Sequence, residues 1–402
     1  MAADLRAWTG RVGIIMALTA TLAGCSFLPA RTLPAVPSQQ APTVQVPGYS
    51  GIRAYGDLLN GQATSDDLVG PAVLDRMSSG KPVHLLALSG GGDGGAFGAG
   101  VLKGWTRRGD RPEFDFVTGV STGALIAPLA FLGSEFDGAL EQFYTETRAE
   151  DVLLLRPLRV LAGAPSFGDS SPLRRRLESI VTPALVDAIA AERRKGRLLL
   201  IGTTDLDAQR QVIWDIGRIA ASGQPDRVDL IRRVLLASAA VPAAFPPVAI
   251  DVVADGRRYQ EMHVDGGVTR GVFAWPPDVR LPPPAGPRTM WVIRNSKLGP
   301  EPQTTGQTAL SIAGRSLTTL IKGQSVSNIS AIRAQAHRDG FQFNVTAVPP
   351  GLPLQETWPF ASHYTRTLFR AGEATGRSPN GWASDIGPLL EPAAPETAER
   401  QK

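Results

Sequence analysis

Cysteine is nearly absent. Cys25 is the only one in 402 residues, so no intramolecular disulfide can form and no thiolate set can hold a metal. Histidine is scarce as well: four residues, widely dispersed, supply no zinc-ligand spacing, and no loop carries calcium-ligand spacing. Neither a metal nor a cofactor is expected. A dominant charge is also missing. Lys and Arg number 41 against 37 Asp and Glu, a net charge of +4. The short basic groups Arg174-Arg175-Arg176, Arg193-Arg194-Lys195 and Arg232-Arg233 sit at helical spacing beside apolar residues. They read as solvated helix faces, so nucleic acid is not an expected partner. No internal repeat is present, which excludes solenoids and propellers.

What is present begins with a processing signal. Arg6 and Arg11 precede twelve mostly apolar residues, Val12 to Ala23, too short for the ~20 residues that span a bilayer. Leu22-Ala23-Gly24-Cys25 closes the segment and resembles the lipobox of bacterial lipoproteins, which implies cleavage before Cys25 and lipidation of its thiol. Ser26 after the cysteine implies sorting to the outer membrane, facing the periplasm. Residues 1–24 are thus read as signal peptide and 25–50 as the lipidated Cys25 and a tether. The tether reading rests on Pro29, Pro34, Pro37, Pro42 and Pro47, in a stretch too poor in apolar residues to pack a core. The chain's 43% hydrophobic content is enough for a substantial core, and a domain is expected over 51–350, with a C-terminal helix and polar tail over 351–402.

The rest of the chain is organised around Asp115 to Pro128. Phe114 to Thr118 reads as a buried strand, Ala124 to Leu132 as a helix, and between them Gly119-Val120-Ser121-Thr122-Gly123 brackets one serine with two glycines. In that setting the glycines remove side chains where strand and helix pack closely, and the serine sits in a strained turn at the sheet edge. Upstream, His84 to Ser89 reads as a strand running into Gly90-Gly91-Gly92-Asp93-Gly94-Gly95 and then a helix from Ala96 to Arg108. Strand, glycine loop and helix make an anion-binding arrangement, suited to a dinucleotide pyrophosphate or to an oxyanion. The dinucleotide reading needs an acidic residue at the end of the second strand. That place holds the Ser121 turn.

These motifs, with Asp265-Gly266-Gly267 further on, resemble the patatin-like phospholipases in type and in order. The resemblance covers roughly Val83 to Val268, and extends to Ser170-Ser171-Pro172-Leu173-Arg174 and to Ala237 through Val248. It implies an α/β, three-layer fold with a mostly parallel central sheet between helices. It implies a serine acyl hydrolase acting on lipid or phospholipid esters. Ser121 would be the nucleophile, Asp265 the base, and the loop Gly90, Gly91 and Gly92 the oxyanion hole, with amides of Gly91 and Gly92 as donors and Gly90 shaping the turn. Gly95, Gly119, Gly123, Gly266 and Gly267 would support the motifs. The chain departs from the family at Gly94, where many members carry a basic residue that supports the loop. Asp93 beside a developing negative charge is expected to turn away and cap the following helix. Two other readings stay open: a Ser-Asp-His esterase on small esters, with His263, His337 or His363 as the third member, and a non-catalytic lipoprotein scaffold.

The remaining pattern alternates. Helices are expected over 136–147, 172–180, 184–195, 228–240, 309–337 and 363–375, and strands over 197–204, 211–214, 248–253, 258–264, 290–294 and 341–348. Asp255-Gly256 marks a hairpin turn.

Overall fold

Strands that are apolar without interruption are buried on both faces, and such strands make the centre of this protein. In the computed structural model, which describes residues 31–56, 70–155, 166, 168–276, 279, 281–352 and 361–390, the strands in chain order are β1 (Arg53–Tyr55), β2 (Val83–Leu88), β3 (Phe116–Val120), β4 (Leu154–Leu155), β5 (Gly168–Asp169), β6 (Leu198–Asp205), β7 (Arg210–Asp215), β8 (Val248–Ala254), β9 (Arg257–Asp265), β10 (Arg288–Arg294) and β11 (Gln342–Ala347). The α-helices among the described residues are α1 (Pro71–Ser78), α2 (Gly95–Arg108), α3 (Thr122–Leu132), α4 (Asp137–Glu146), α5 (Ser171–Ile180), α6 (Pro183–Arg194), α7 (Ile216–Ala221), α8 (Arg227–Ser238), α9 (Ala309–Arg338), α10 (Ser362–Arg377) and the short α11 (Gly387–Leu390).

Nine strands form one mixed sheet in the order β1-β7-β6-β3-β2-β10-β11, with the β8–β9 hairpin attached to β6. From β6 to β11 every neighbouring pair is parallel, whereas β7, β1, β9 and β8 are added antiparallel. Alternation divides the side chains between two cores. Leu86, Leu88, Val117, Leu199 and Ile201 face the core shared with α2, α3 and α10. Leu85, Ala87, Phe116, Leu198 and Leu200 face the core shared with α1 and the second half of α9. Because the five central strands are parallel, all their carboxyl ends emerge at one edge, where ligands of open α/β sheets bind.

Two expectations about the ends of the chain are corrected. From residue 31 the proline-rich stretch does not stand off the domain as a tether. Arg31 pairs with Asp207, the amide of Gln260 bonds the Pro34 carbonyl, Gln45 bridges Val253 in both directions, and Val44, Val46, Tyr49 and Ile52 are buried. The prolines prevent regular structure but not packing, because alternate residues still deliver apolar side chains to the core. Likewise α10 is part of the domain. Gly100 and Gly104 of α2 and Gly372 and Gly376 of α10 meet so closely that an added Cβ would lie 2.1 Å from opposing backbone oxygens. Beyond it, Trp382 packs on Trp105 and Trp291 at 4.7 and 4.8 Å between ring centroids, and Ala383 bridges Val345. Cys25 and the signal segment lie outside the described residues. Among those described, no helix is long and apolar enough to cross a membrane.

Candidate active site

Ser121 stands at the step from β3 to α3 with φ 55° and ψ −126°, a conformation that non-glycine residues adopt only when their surroundings enforce it. The enforcement is visible. A Cβ on Gly119 would lie 2.6 Å from the Gly123 carbonyl, and one on Gly123 would lie 2.4 Å from the Leu88 carbonyl, so only glycine permits strand and helix to close at this angle. Ser238, at the end of α8, holds the turn from below: its hydroxyl accepts the Ser121 amide at 3.0 Å and donates to the Gly202 carbonyl at 2.7 Å. Ser121 is 7% exposed.

Asp265 ends β9, whose antiparallel pairing sets it opposite Thr203 of β6. Its position is fixed by three bonds: its amide donates to the Ala240 carbonyl at 2.9 Å, its carbonyl accepts the Thr204 hydroxyl at 3.0 Å, and its Oδ1 accepts the Gly267 amide at 2.7 Å. Gly266 is required because a Cβ there would lie 2.4 Å from the Gly202 carbonyl. Oδ2 of Asp265 has no hydrogen-bond partner. Burial pushes the carboxyl up to about 6, while the neighbouring Ser121 hydroxyl and the Gly267 amide pull it down. The serine hydroxyl therefore lies beside the carboxylate without completing a hydrogen bond to it, a spacing common in unliganded sites.

The glycine loop passes over the serine: a Cβ on Gly90 would lie 3.1 Å from that of Ser121. The Gly90 amide is already taken, donating to the Gly271 carbonyl at 2.9 Å. It cannot also serve an oxyanion. Among the described residues no acceptor takes the amides of Gly91, at φ 158°, or Gly92, at φ 58°. Asp93 lies in the single turn Gly92–Gly94, and no side chain caps α2. The expected cap is therefore not formed.

The brace of the loop comes from residues that the sequence did not single out. The Gly90 carbonyl accepts the Ser89 hydroxyl at 2.7 Å and Nη1 of Arg294 at 3.2 Å. In a planar trans peptide the N–H of the next residue points the opposite way, so these two donors fix the direction of the Gly91 amide. Arg294 is buried at the carboxyl end of β10, forms no ion pair among the described residues, and is pushed down to about 10 by burial. It remains a cation at neutral pH. Asn295 follows it, clamping Ser89 through its backbone amide at 2.8 Å and its side-chain amide at 2.6 Å. The Asn295 carbonyl also explains Gly94: a Cβ there would lie 1.9 Å from it. No basic side chain fits at that position, and Arg294 reaches the loop from the next strand instead. The only trace of this in the sequence is that the strand ending in Arg294-Asn295 finishes at the same edge.

The histidines stand elsewhere. His263 is buried with both ring nitrogens engaged, Nδ1 with Thr203 at 3.0 Å and Nε2 with Glu261 at 2.9 Å. Glu261 is in turn held by Arg53 at 2.5 and 2.8 Å, whose guanidinium keeps that carboxyl well below the usual range. His337 and His363 lie at the end of α9 and the start of α10, and burial lowers His84 on β2. None hydrogen-bonds Ser121 or Asp265. Among the described residues no cluster of three or more His, Cys, Asp or Glu could hold a metal. A cavity of about 640 Å³ lies against the loop, lined by Gly91, Asp93, Gly94, Lys297, Arg315 and Tyr364 among others.

Fold and site together define a class: α/β proteins in which a strained serine at a sheet edge is answered by a buried carboxylate and a glycine loop with unpaired amides. Residues 86–277 match the family described as patatin-like phospholipase. Among solved structures the chain is similar to VipD from Legionella pneumophila, with 13% identity, a TM-score of 0.33, and coverage of 73% of this chain and 66% of that one. It is also similar to the type III effector protein ExoU, with 14% identity, a TM-score of 0.30, and coverage of 74% and 52%. The chain spans about two thirds of the first and half of the second. No curated protein matches it.

Proposed function

We propose that the chain hydrolyses fatty-acyl esters of lipids, phospholipids foremost, through a dyad of Ser121 and Asp265. The observation that carries this reading is the unpartnered Oδ2 of Asp265, buried beside Ser121 and raised to about 6. A carboxylate is ordinarily a weak base, and desolvation brings its affinity for a proton nearer to what a serine hydroxyl requires. Asp265 takes the hydroxyl proton as Ser121 Oγ attacks the ester carbonyl, and the negative charge formed on the carbonyl oxygen is met by the amides of Gly91 and Gly92. Collapse breaks the ester bond, and the proton passes from Asp265 to the departing alcohol or lysolipid. Water then attacks the acyl-serine, giving its proton to Asp265, which returns it to Ser121 as the fatty acid leaves. Arg294 aligns the loop and adds positive potential at the developing oxyanion.

Anchoring belongs to the same reading. Acylated Cys25 would hold the domain at the periplasmic face of the outer membrane; two acyl chains anchor stably where one binds only marginally. Mass spectrometry of the cellular protein should find an N-terminal lipidated Cys25, and an unmodified peptide continuous through Gly24-Cys25 would refute it. For the activity, wild-type protein should release fatty acid from a fluorescent phospholipid and bind a fluorophosphonate, whereas Ser121→Ala should do neither. A folded Ser121→Ala variant with full turnover would end the proposal.

A further inference from the structure

Among the described residues the large apolar side chains left exposed are Leu206, Ile312 and Leu320, and all three lie at the edge of the sheet that carries Ser121. Leu206 directly follows β6. The other two lie on α9, whose thirty residues reach about 45 Å, roughly twice the ~23 Å of the seven-residue β10 that it follows. The helix leaves the carboxyl end of β10 and returns to start the parallel β11, so its first half overhangs the sheet on the active-site side. Burial follows this geometry. Ser325, Ile329, Ile332 and Ala336 are buried, and before residue 325 none of the helix's described side chains is. The overhang is fastened at its root to the catalytic loop: Gln324 donates to the Thr269 carbonyl, and Asn328 accepts the Gly271 amide, whose own carbonyl holds Gly90.

The overhang is inside out. At about 100° per residue, Ser311, Gly314, Arg315, Thr318 and Lys322 share one side, and the first four line the cavity beside Gly91 and Gly94. Ile312, Ser316 and Leu320 form the stripe opposite, with Ala313 beside it and the half-buried Leu317 and Ile321 at its margin; Ile312 is 52% and Leu320 70% exposed. A helix in water ordinarily presents the reverse arrangement. Charge indicates the occupant. The whole of α9 contains no Asp or Glu while its overhanging half carries Arg315 and Lys322, and Glu301 before it is paired with Lys322. An apolar face on a helix that carries basic and no acidic residues matches an anionic lipid surface.

We propose that the first half of α9 is an interfacial docking helix, laying Ile312 and Leu320 into a lipid surface so that the cavity behind it opens onto the bilayer. This rests on the lipid-hydrolase reading for its purpose but not for its test. The full chain carrying Cys25→Ser and Ser121→Ala, with an environment-sensitive fluorophore on Leu320→Cys, should show a blue shift with phosphatidylcholine–phosphatidylglycerol vesicles, smaller with phosphatidylcholine alone. The same label on Asp110→Cys, at the opposite edge of the sheet, should show none. With Ser121 intact, Ile312→Ser with Leu320→Ser should lower turnover of vesicle phospholipid at least tenfold and leave a soluble short-chain ester unaffected. No shift at residue 320, or equal loss on both substrates, overturns the proposal. So does a lipid-free dimer that the double variant dissolves, which would assign the face to a second copy. A shift at 320 in a protein that hydrolyses neither substrate leaves the docking standing and refutes the activity.

Discussion

Replacing Asp265 by Asn should inactivate the protein and, at neutral pH, stabilise it. The carboxyl is buried at 5% exposure and raised from 3.8 to about 6. A native value above the unfolded one means that the folded state holds the proton more tightly, so this group's contribution to stability is complete at low pH and is lost as pH rises through the window from about 4 to 6. Two units at 1.36 kcal/mol each amount to a penalty of about 3 kcal/mol above that window. Asparagine removes it, because its oxygen can still accept the Gly267 amide and its NH2 can face Ser121. Urea unfolding at pH 7.5 should therefore find Asp265→Asn more stable by about 3 kcal/mol, and the difference should shrink to about 1 kcal/mol near pH 4.5. Turnover by the wild type should fall on the acid side with a midpoint near 6, since only the ionised carboxylate can accept the serine proton. An Asp265→Asn protein no more stable than wild type at pH 7.5, or an acid limb centred near 4, would show that the carboxylate is not held against desolvation as described.

Ser121→Gly should likewise trade activity for stability, gaining about 1–3 kcal/mol in thermal or urea unfolding, because glycine relieves the positive φ that the elbow imposes. Arg294→Gln should lower kcat about 10- to 100-fold with little change in KM, and Arg294→Lys should restore part of it, as expected of a group that aligns the oxyanion loop. Gly94→Lys, although it supplies the basic residue that the family resemblance implies there, should abolish turnover, because the Asn295 carbonyl occupies the space of its Cβ. His263→Ala should keep at least about a tenth of the activity, short of the 10²-fold or larger loss of a general base, while losing about 1–3 kcal/mol of stability from its buried bonds to Thr203 and Glu261. His337→Ala and His363→Ala should keep at least as much activity. Loss in any folded histidine variant as complete as in Asp265→Asn would replace the dyad with a triad.

The elements around Ser121 and Asp265 were legible because the forces that make them are local. The apolar runs at 85–88, 116–120 and 198–201 are strands buried on both faces, the Asp255-Gly256 pair turns between β8 and β9 with φ 48° and 72°, and the paired glycines mark close approach. The stretch from 31 to 50 was misread because composition reports whether a segment can form a core, not whether it can join one. The same applies to Trp382, isolated in sequence yet packed between Trp105 and Trp291. Arg294 and Asn295 carried no local signal, since their partners at Gly90 and Ser89 lie more than two hundred residues away in the chain.

By itself the sequence determined the class of fold and pointed to Ser121 and Asp265, because strand periodicity, glycine spacing and turn chemistry act over a few residues. Only the tertiary structure decided which amides of the loop remain unpaired, which cation braces it, that no histidine touches the serine or the carboxylate, and which face of α9 meets solvent. Each of these depends on groups brought together from distant strands, where burial shifts the proton affinity of Asp265 and Arg294 and where one carbonyl, that of Asn295, excludes a side chain from Gly94.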